Sequence, residues 1–340
     1  MTEKEVLQIQ ANNAVPHTTD ALSLLSTHIS WVLLGKAHVY KIKKPVTLSF
    51  LDFSTPELRR KYCGLEVSLN SRLAPDMYLG VLPVRRADDR LYIGEGPGEL
   101  IDYAVHMKRM DDSRQLDILL EKGEVPKTGI IHLATVIASF HLAAPRAAEV
   151  EDWEGLYREF ADILNENKIL KAHFGEEAEK LMEAAVKWSS GFLHRLQDRI
   201  EERNREGFVI EGHGDLHCRN IFLLEPPVIF DCIEFNEEFR QLDMLNEVAF
   251  LCMDLERFGR TDLAELLCEH YFAKVPCMRG EADEQLFLFY KLHRANVRIK
   301  VHAIRIRELE EEEAIQAEVK RMREYMGLFR EYFSHLRQQS

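Results

Sequence analysis

Residues 213–220 read His213-Gly214-Asp215-Leu216-His217-Cys218-Arg219-Asn220, and eleven positions past the Asn comes Asp231 in Val228-Ile229-Phe230-Asp231-Cys232-Ile233-Glu234-Phe235. The stretch offers an acid that can accept a proton, an amide oxygen, and a second acid. Asn220 is followed by the apolar run Ile221-Phe222-Leu223-Leu224, which Glu225-Pro226-Pro227 breaks before Val228-Ile229-Phe230 resumes it. Two apolar runs around a Pro-rich turn predict a β-hairpin. With Leu224 paired to Pro227 or Val228, Asn220 comes opposite Asp231 or within one residue of it. Both oxygen-bearing side chains then lie at the open end of the hairpin, with Asp215 in the loop that enters it.

The order acid, amide, acid is the one that kinase-type phosphoryl transfer uses. These residues resemble the aminoglycoside phosphotransferase family, whose fold is that of the protein kinases. The family's loop reads His-Gly-Asp-Leu-His-x-x-Asn, and residues 213–220 match every specified position. The resemblance implies that Asp215 is the catalytic base, Asn220 one metal ligand and Asp231 the principal one. It implies ATP and Mg²⁺ as cofactors, since Mg²⁺ takes oxygen ligands and leaves part of its coordination sphere to phosphates. A Gly-, Asp- and Asn-rich turn between core strands is the plainer alternative; the eight-residue match with Asp231 beyond it weighs against that. The implied fold is α+β, protein-kinase-like and two-lobed. A small β-rich N-lobe over residues 1–107 would hold nucleotide-binding strands and one helix. A large, mainly helical C-lobe over 108–340 would carry the catalytic loop, the inserted hairpin and the acceptor-binding helices.

The bulk properties agree with a folded enzyme. A chain of 340 residues can bury a large core, and 46% hydrophobic with 30% charged residues is ordinary for a globular protein. The net charge of −13 argues against nucleic-acid binding, which needs cationic surface. The six cysteines show no Cys-x-x-Cys spacing and read as reduced, mostly buried thiols. Cys218 and Cys232 flank the proposed site and read as small filler. Neither a secretory signal nor a run of about twenty apolar residues is evident, so a cytoplasmic location without membrane attachment is expected.

Along the first part, Ser30–Leu34 and His38–Lys43 read as a hairpin turned at Gly35-Lys36. Thr55-Pro56 starts a helix carrying Leu58, Tyr62, Leu65, Leu69 and Leu73 on one stripe, which Pro75 ends. Val81–Val84 and Arg90–Ile93 suggest another strand pair, and Asp102–Met110 a strand leading onward. Beyond about residue 113 the chain reads as helical. Ile130–Leu142 is an apolar helix. Glu176–Asn204 is a long amphipathic one closed by Gly207, with Leu181, Ala185, Trp188, Phe192 and Leu196 on one stripe. Glu310–Glu313 reads as a solvated part of a charged C-terminal helix.

Val39-Tyr40-Lys41-Ile42 resembles the kinase strand whose Lys contacts the nucleotide phosphates. Lys41 is the favoured residue; Lys43, two residues on and on the same strand face, competes with it. Lysines decorating an edge strand against aggregation are the alternative. The partner carboxylate is expected from the following helix at Glu66, with Glu57 better explained as charge at a helix N-terminus. Residues 17–29 contain no glycine, so the Gly-rich phosphate loop of protein kinases is absent, and Ser26 or Thr27 stand there only as guesses. His217 stands where protein kinases have a Lys; it would donate to phosphate or brace the loop. Asp231 is followed by Cys-Ile rather than Phe-Gly, which favours a small-molecule acceptor over a protein.

For the acceptor, Glu234, Asn236, Glu237 and Glu238 suggest an acidic rim. Lys291, Arg294 and Arg298 form either a cationic stripe toward an anionic acceptor or phosphate, or a solvated helix face paired with acidic neighbours. Asp243 matches a position that in the family supports the loop. Segments 28–31, 39–45, 50–55 and 229–236 resemble a bacterial branch of the family, frequently joined to a P-loop ATP-binding domain. This chain shows no such domain, and a protein partner could take its place. The resemblance thus implies an ATP-dependent kinase for a hydroxyl of an unidentified small molecule. The rival expectation is a catalytically silent nucleotide-binding or regulatory module.

Overall fold

The computed structural model describes residues 1–48, 51–147 and 152–339. Phe50, within one of the segments quoted above, lies outside the described residues. The chain begins with α1 (Glu3–Ala11), β1 (Ser23–Ser26), β2 (Ser30–Leu34), β3 (His38–Lys43), β4 (Thr47–Leu48) and β5 (Leu51–Asp52). Next come α2 (Pro56–Asn70), β6 (Tyr78–Ala87), β7 (Arg90–Ile93) and β8 (Glu99–Lys108). Then follow α3 (Leu116–Lys122), α4 (Lys127–Ala143), α5 (Trp153–Ala161), α6 (Asn167–Phe174), α7 (Glu176–Arg195), α8 (Gln197–Glu206) and β9 (Val209–Glu211). The hairpin β10 (Ile221–Phe222) and β11 (Val228–Ile229) precedes β12 (Gln241–Asp243), α9 (Met244–Arg257), α10 (Thr261–Phe272), α11 (Glu281–Glu308) and α12 (Glu312–Gln339). Two compact units result: residues 1–119 with 219–239, and residues 120–218 with 240–340.

The first unit is built on a six-stranded antiparallel sheet in the order β1-β2-β3-β8-β6-β7. The expected hairpin forms with Trp31 opposite Ile42 and Val32 opposite Lys41. Alternation along β3 sends Tyr40 and Ile42 to one face, where they pack with Val6 and Ile9 of α1. Val39 goes to the other face, packing with Cys63 of α2 and with Tyr78. Lys41 and Lys43 share that second face.

Two expectations for this unit need correction. It holds a second helix, α1, which has weak amphipathicity but a capping box at Thr2 and Glu5 that the sequence displays. The other concerns α2, which starts as expected, with Thr55 capping the Leu58 amide, but ends at Asn70 rather than Leu73. Its buried side carries Arg59, Cys63, Glu66, Leu69 and Asn70, not the stripe of Leu58, Tyr62 and Leu65. The inward face is polar because it serves ion pairs: Arg59 binds Asp102, and Glu66 meets the β3 lysines.

In the second unit α9 is buried from Met244 to Leu255, so it is the central helix. The long helix expected over 176–204 is broken at Leu196 into α7 and α8. Past the break, α8 buries Ile200 and Arg203, and the Arg203 guanidinium pairs with Asp243 and Asp283. Gly207 does close α8, in the left-handed conformation at φ 81°. The C-terminal helix begins only at Glu312, so the acidic run 310–313 straddles its start; these residues are exposed, as expected.

Candidate active site

In the first unit, two lysines divide one carboxylate. Lys41 Nζ lies 2.8 Å from Glu66 Oε1, and Lys43 Nζ lies 2.6 Å from Glu66 Oε2. Each lysine has a further acid: Lys41 meets Asp231 Oδ1 at 2.8 Å, and Lys43 donates to Glu234. The cluster therefore sets three carboxylates against two cations. Lys43 and Glu66 are sealed from solvent, whereas the Asp231 side chain is 46% exposed. Burial alone would raise the Glu66 carboxyl, but the two ammonium groups outweigh it and hold it at about 2. Lys41 is held well above its ordinary value, because Asp231 and Glu66 outweigh its burial. Glu234 goes the other way: burial raises it despite Lys43. The expected pairing of Lys41 with Glu66 is thus present, and Lys43 contacts the same acid.

The hairpin beyond residue 220 forms with Ile221 opposite Ile229 and Phe222 opposite Val228. The Phe230 amide donates to the Asn220 carbonyl at 3.0 Å. Asn220 therefore falls opposite Phe230, one residue from Asp231. This register is one residue short of the nearer of the two offered above, because pairing stops at Phe222 and leaves Leu223-Leu224 to the turn. Asp231 itself sits at φ 63°, a left-handed conformation that Asp tolerates better than most residues. Its amide donates to Tyr78 Oη at 3.2 Å, and the Cys232 amide donates to Asn70 Oδ1 at 2.9 Å. These bonds fix the backbone on either side of the carboxylate. Asn220 and Asp231 are hard oxygen donors of the kind Mg²⁺ prefers. Among the described residues no group of three or more His, Cys, Asp or Glu side chains is arranged as a metal cage.

In the second unit, α9 holds the loop that carries Asp215. Glu247 accepts from the His213 amide at 2.8 Å and the Gly214 amide at 2.6 Å. His141 Nε2 lies 2.9 Å from the same carboxylate, and its other ring nitrogen lies 2.7 Å from Tyr271 Oη. Two turns on, Asp254 accepts from the Cys218 amide at 2.9 Å, from Arg257 at 2.8 Å and from Tyr325 at 3.1 Å. Between these anchors, His217 Nε2 lies 3.3 Å from Asp215 Oδ2. Burial would raise the Asp215 carboxyl, yet His217, Arg298 and His213 depress it well below the usual carboxylate range. Asp215 is therefore an anion at neutral pH, able to accept a hydrogen bond from a hydroxyl. His217 is buried with its Nε2 directed at Asp215.

Several expected acceptor residues prove to be structural. Glu234 is buried beside Lys43 and is no part of an acidic rim, although Glu237 and Glu238 are exposed. Lys291, Arg294 and Arg298 do not form a solvated face, but the expected pairing with acidic neighbours is present for Lys291 and Arg298. Lys291 pairs with Glu256, Arg294 donates to Asn246 at 2.7 Å, and Arg298 is buried with its charge toward Asp215 and Asp254. Asp243 pairs with Arg203 and caps α9, in keeping with a supporting role. Ser26 ends β1 and Thr27 enters the turn to β2, and Lys44 donates to both. Cys218 and Cys232 are buried and not joined in a disulfide. Glu247, Asp254 and His141 were missed by sequence reasoning, and Glu234 was assigned to the rim rather than to Lys43. The signal for Glu247 and Asp254 was available: they are acids inside the largely apolar run 244–255, and buried acids need partners.

Residues 90–282, more than half of the chain, match the Phosphotransferase enzyme family. Uncharacterized proteins of Mycobacterium tuberculosis and Mycobacterium bovis are 31% identical over 309 residues. The match covers 87% of this chain but 57% of those relatives, so the chain spans little more than half their length. Among solved structures, a choline/ethanolamine kinase family protein from Mesorhizobium loti has TM-score 0.53 at 13% identity, covering 99% of this chain and 100% of that one. An ethanolamine kinase of Plasmodium vivax has TM-score 0.51 at 10% identity, covering 97% and 89%. At such identities the likeness concerns the fold alone, which is the expected protein-kinase-like one. No helix among the described residues is long and apolar enough to cross a membrane. With its loop sequence and fold both in that pattern, this chain belongs to the phosphotransferase enzyme family.

Proposed function

We propose that the chain is a cytoplasmic, ATP- and Mg²⁺-dependent kinase for a hydroxyl of a small molecule. The observation that carries this reading is Lys41, whose ammonium lies 2.8 Å from both Glu66 and the half-exposed Asp231. A cation fixed by a buried acid beside an accessible one suits a polyphosphate with its metal ion. When bound, ATP supplies the transferable phosphoryl group and Mg²⁺ offsets its charge. Asn220 and Asp231 would hold the ion, and Lys41, oriented by Glu66, would face the phosphates. Lys43 supports Glu66 from the buried side. Asp215, braced by His217, would orient the acceptor hydroxyl and take its proton.

Two observations favour a second reading, a silent nucleotide-binding module. Lys41 already occupies an oxygen of Asp231, and residues 17–29 offer no Gly-rich loop for the phosphates. Incubation with labelled ATP and Mg²⁺, with and without a metabolite library, separates the two. Label appearing in a metabolite supports the kinase. Nucleotide binding without release of phosphate or labelling of any acceptor supports the silent module.

A further inference from the structure

Cys252 on α9 and Cys268 on α10 are free thiols whose sulfurs lie 3.3 Å apart. Cys252 is fully buried, while Cys268 is partly exposed. A disulfide needs about 2.05 Å between sulfurs, so closure requires about 1.3 Å of movement, within the reach of side-chain torsion. The two sulfurs are not equivalent. The hydrogen bond between the two thiols holds Cys268 below its ordinary range, with help from the Lys291 ammonium and against burial. The same hydrogen bond, together with burial, pushes Cys252 well up. The more accessible sulfur is therefore the better populated thiolate, and the thiolate is the nucleophile.

We propose that Cys252 and Cys268 form a peroxide-oxidisable dithiol that closes an intrachain disulfide between α9 and α10. The Cys268 thiolate attacks one oxygen of hydrogen peroxide and the O–O bond breaks. Sulfur keeps a hydroxyl as sulfenic acid, and the departing hydroxide takes up the proton Cys268 released, leaving as water. The Cys252 sulfur then attacks the sulfenic sulfur. The S–S bond forms, the S–O bond breaks, and the leaving hydroxide carries off the Cys252 proton as a second water. The two thiols lose two electrons and peroxide gains them. The bond would fasten α10 to the helix whose Asp254, two residues past Cys252, holds the Cys218 amide.

The test is a thiol map. Reduced protein, freed of reductant, is exposed to hydrogen peroxide, unfolded in N-ethylmaleimide, digested and analysed by mass spectrometry. The expected result is a peptide pair joined through Cys252 and Cys268, lighter by two hydrogens and separable by dithiothreitol. Cys63, Cys218, Cys232 and Cys277, all buried, should carry maleimide. In the Cys252→Ser variant, Cys268 should instead advance to sulfinic acid for want of a resolving thiol. The wild-type map needs no variant, so it stands whether or not that variant folds. Recovery of both Cys252 and Cys268 as maleimide adducts overturns the proposal. So does sulfinic acid at Cys268 in the wild type, or a disulfide from either residue to another cysteine.

Discussion

Glu247 and Asp254 lie two helical turns apart on α9 and hold the two ends of one loop: Glu247 binds the His213 and Gly214 amides, and Asp254 binds the Cys218 amide. Residues seven apart share a helix face, so both acids point the same way. The loop between them carries Asp215 and His217. Its shape is thus set by three backbone amides fixed to one rigid, buried helix, which is how a base can be held in a narrow range of orientations.

Gly212 tests this arrangement. A Cβ placed there would come within 2.5 Å of Glu247 Oε2. The carboxylate could yield only by leaving His141 and the loop amides. Gly212→Ala should therefore lower the melting temperature and reduce kcat about 100-fold by misplacing Asp215, with nucleotide affinity kept. Glu247→Gln, which keeps an acceptor oxygen, should be milder. Wild-type kcat in Gly212→Ala would show that the loop needs no such anchor.

Asp215 and Asp231 should separate turnover from nucleotide binding. Asp215→Asn is expected to abolish turnover and leave Mg-ATP affinity nearly unchanged, because the residue is assigned to the acceptor hydroxyl. Asp231→Ala should instead abolish Mg²⁺-dependent ATP binding. Calorimetry alongside a turnover assay reads both. Undiminished Mg-ATP affinity in Asp231→Ala would remove it as a metal ligand.

The two β3 lysines should differ in kind. Lys43 is sealed between Glu66 and Glu234, so Lys43→Met leaves buried carboxylates undercompensated and should cost about 3–5 kcal/mol of stability. Lys41→Met should impair phosphoryl transfer far more than Lys43→Met, measured per folded molecule. Adding Glu66→Ala to Lys41→Met should cost little further activity, the non-additivity expected of coupled groups. Denaturant titration and kinetics on the same samples decide it; losses that simply add would dissolve the assigned pair.

Acid should unfold the protein through its buried carboxylates. Glu66, Glu247 and Asp254 are each held at about 2, against the burial that would raise them, by nearby cations and hydrogen bonds. Their folded values lie below the unfolded ones, so the stability they contribute is complete above the ordinary carboxylate range and lost as pH falls toward about 2. Glu234, raised by burial, acts in the opposite sense. With these three groups and Asp215 against one, and with burial holding His38, His106, His293 and His302 below the ordinary imidazole value, the melting temperature should begin to decline as pH drops below about 6.5 and fall steeply below about 4.5. A flat profile down to about pH 2.5 would contradict the pairing described here.

Sequence alone determined the parts of this protein that depend on short-range pattern. The match at 213–220 identified the loop, apolar runs around Pro226-Pro227 identified the hairpin, and Thr55-Pro56 with Gly207 marked helix ends. Local chemistry fixes these features, so they are written where they occur. The three-dimensional structure decided which polar residues are buried and with whom. Lys43 and Glu234 meet across 191 residues, His141 and Glu247 across 106. No periodicity encodes such pairs, because an acid facing water and an acid facing a buried cation read identically along the chain. The α2 face shows the same limit: its leucines suggested one side, but ion pairs with β3 and β8 turned Arg59 and Glu66 inward. Burial of a charge becomes favourable only once its partner is in place, and partners far apart in sequence come together only through the tertiary fold.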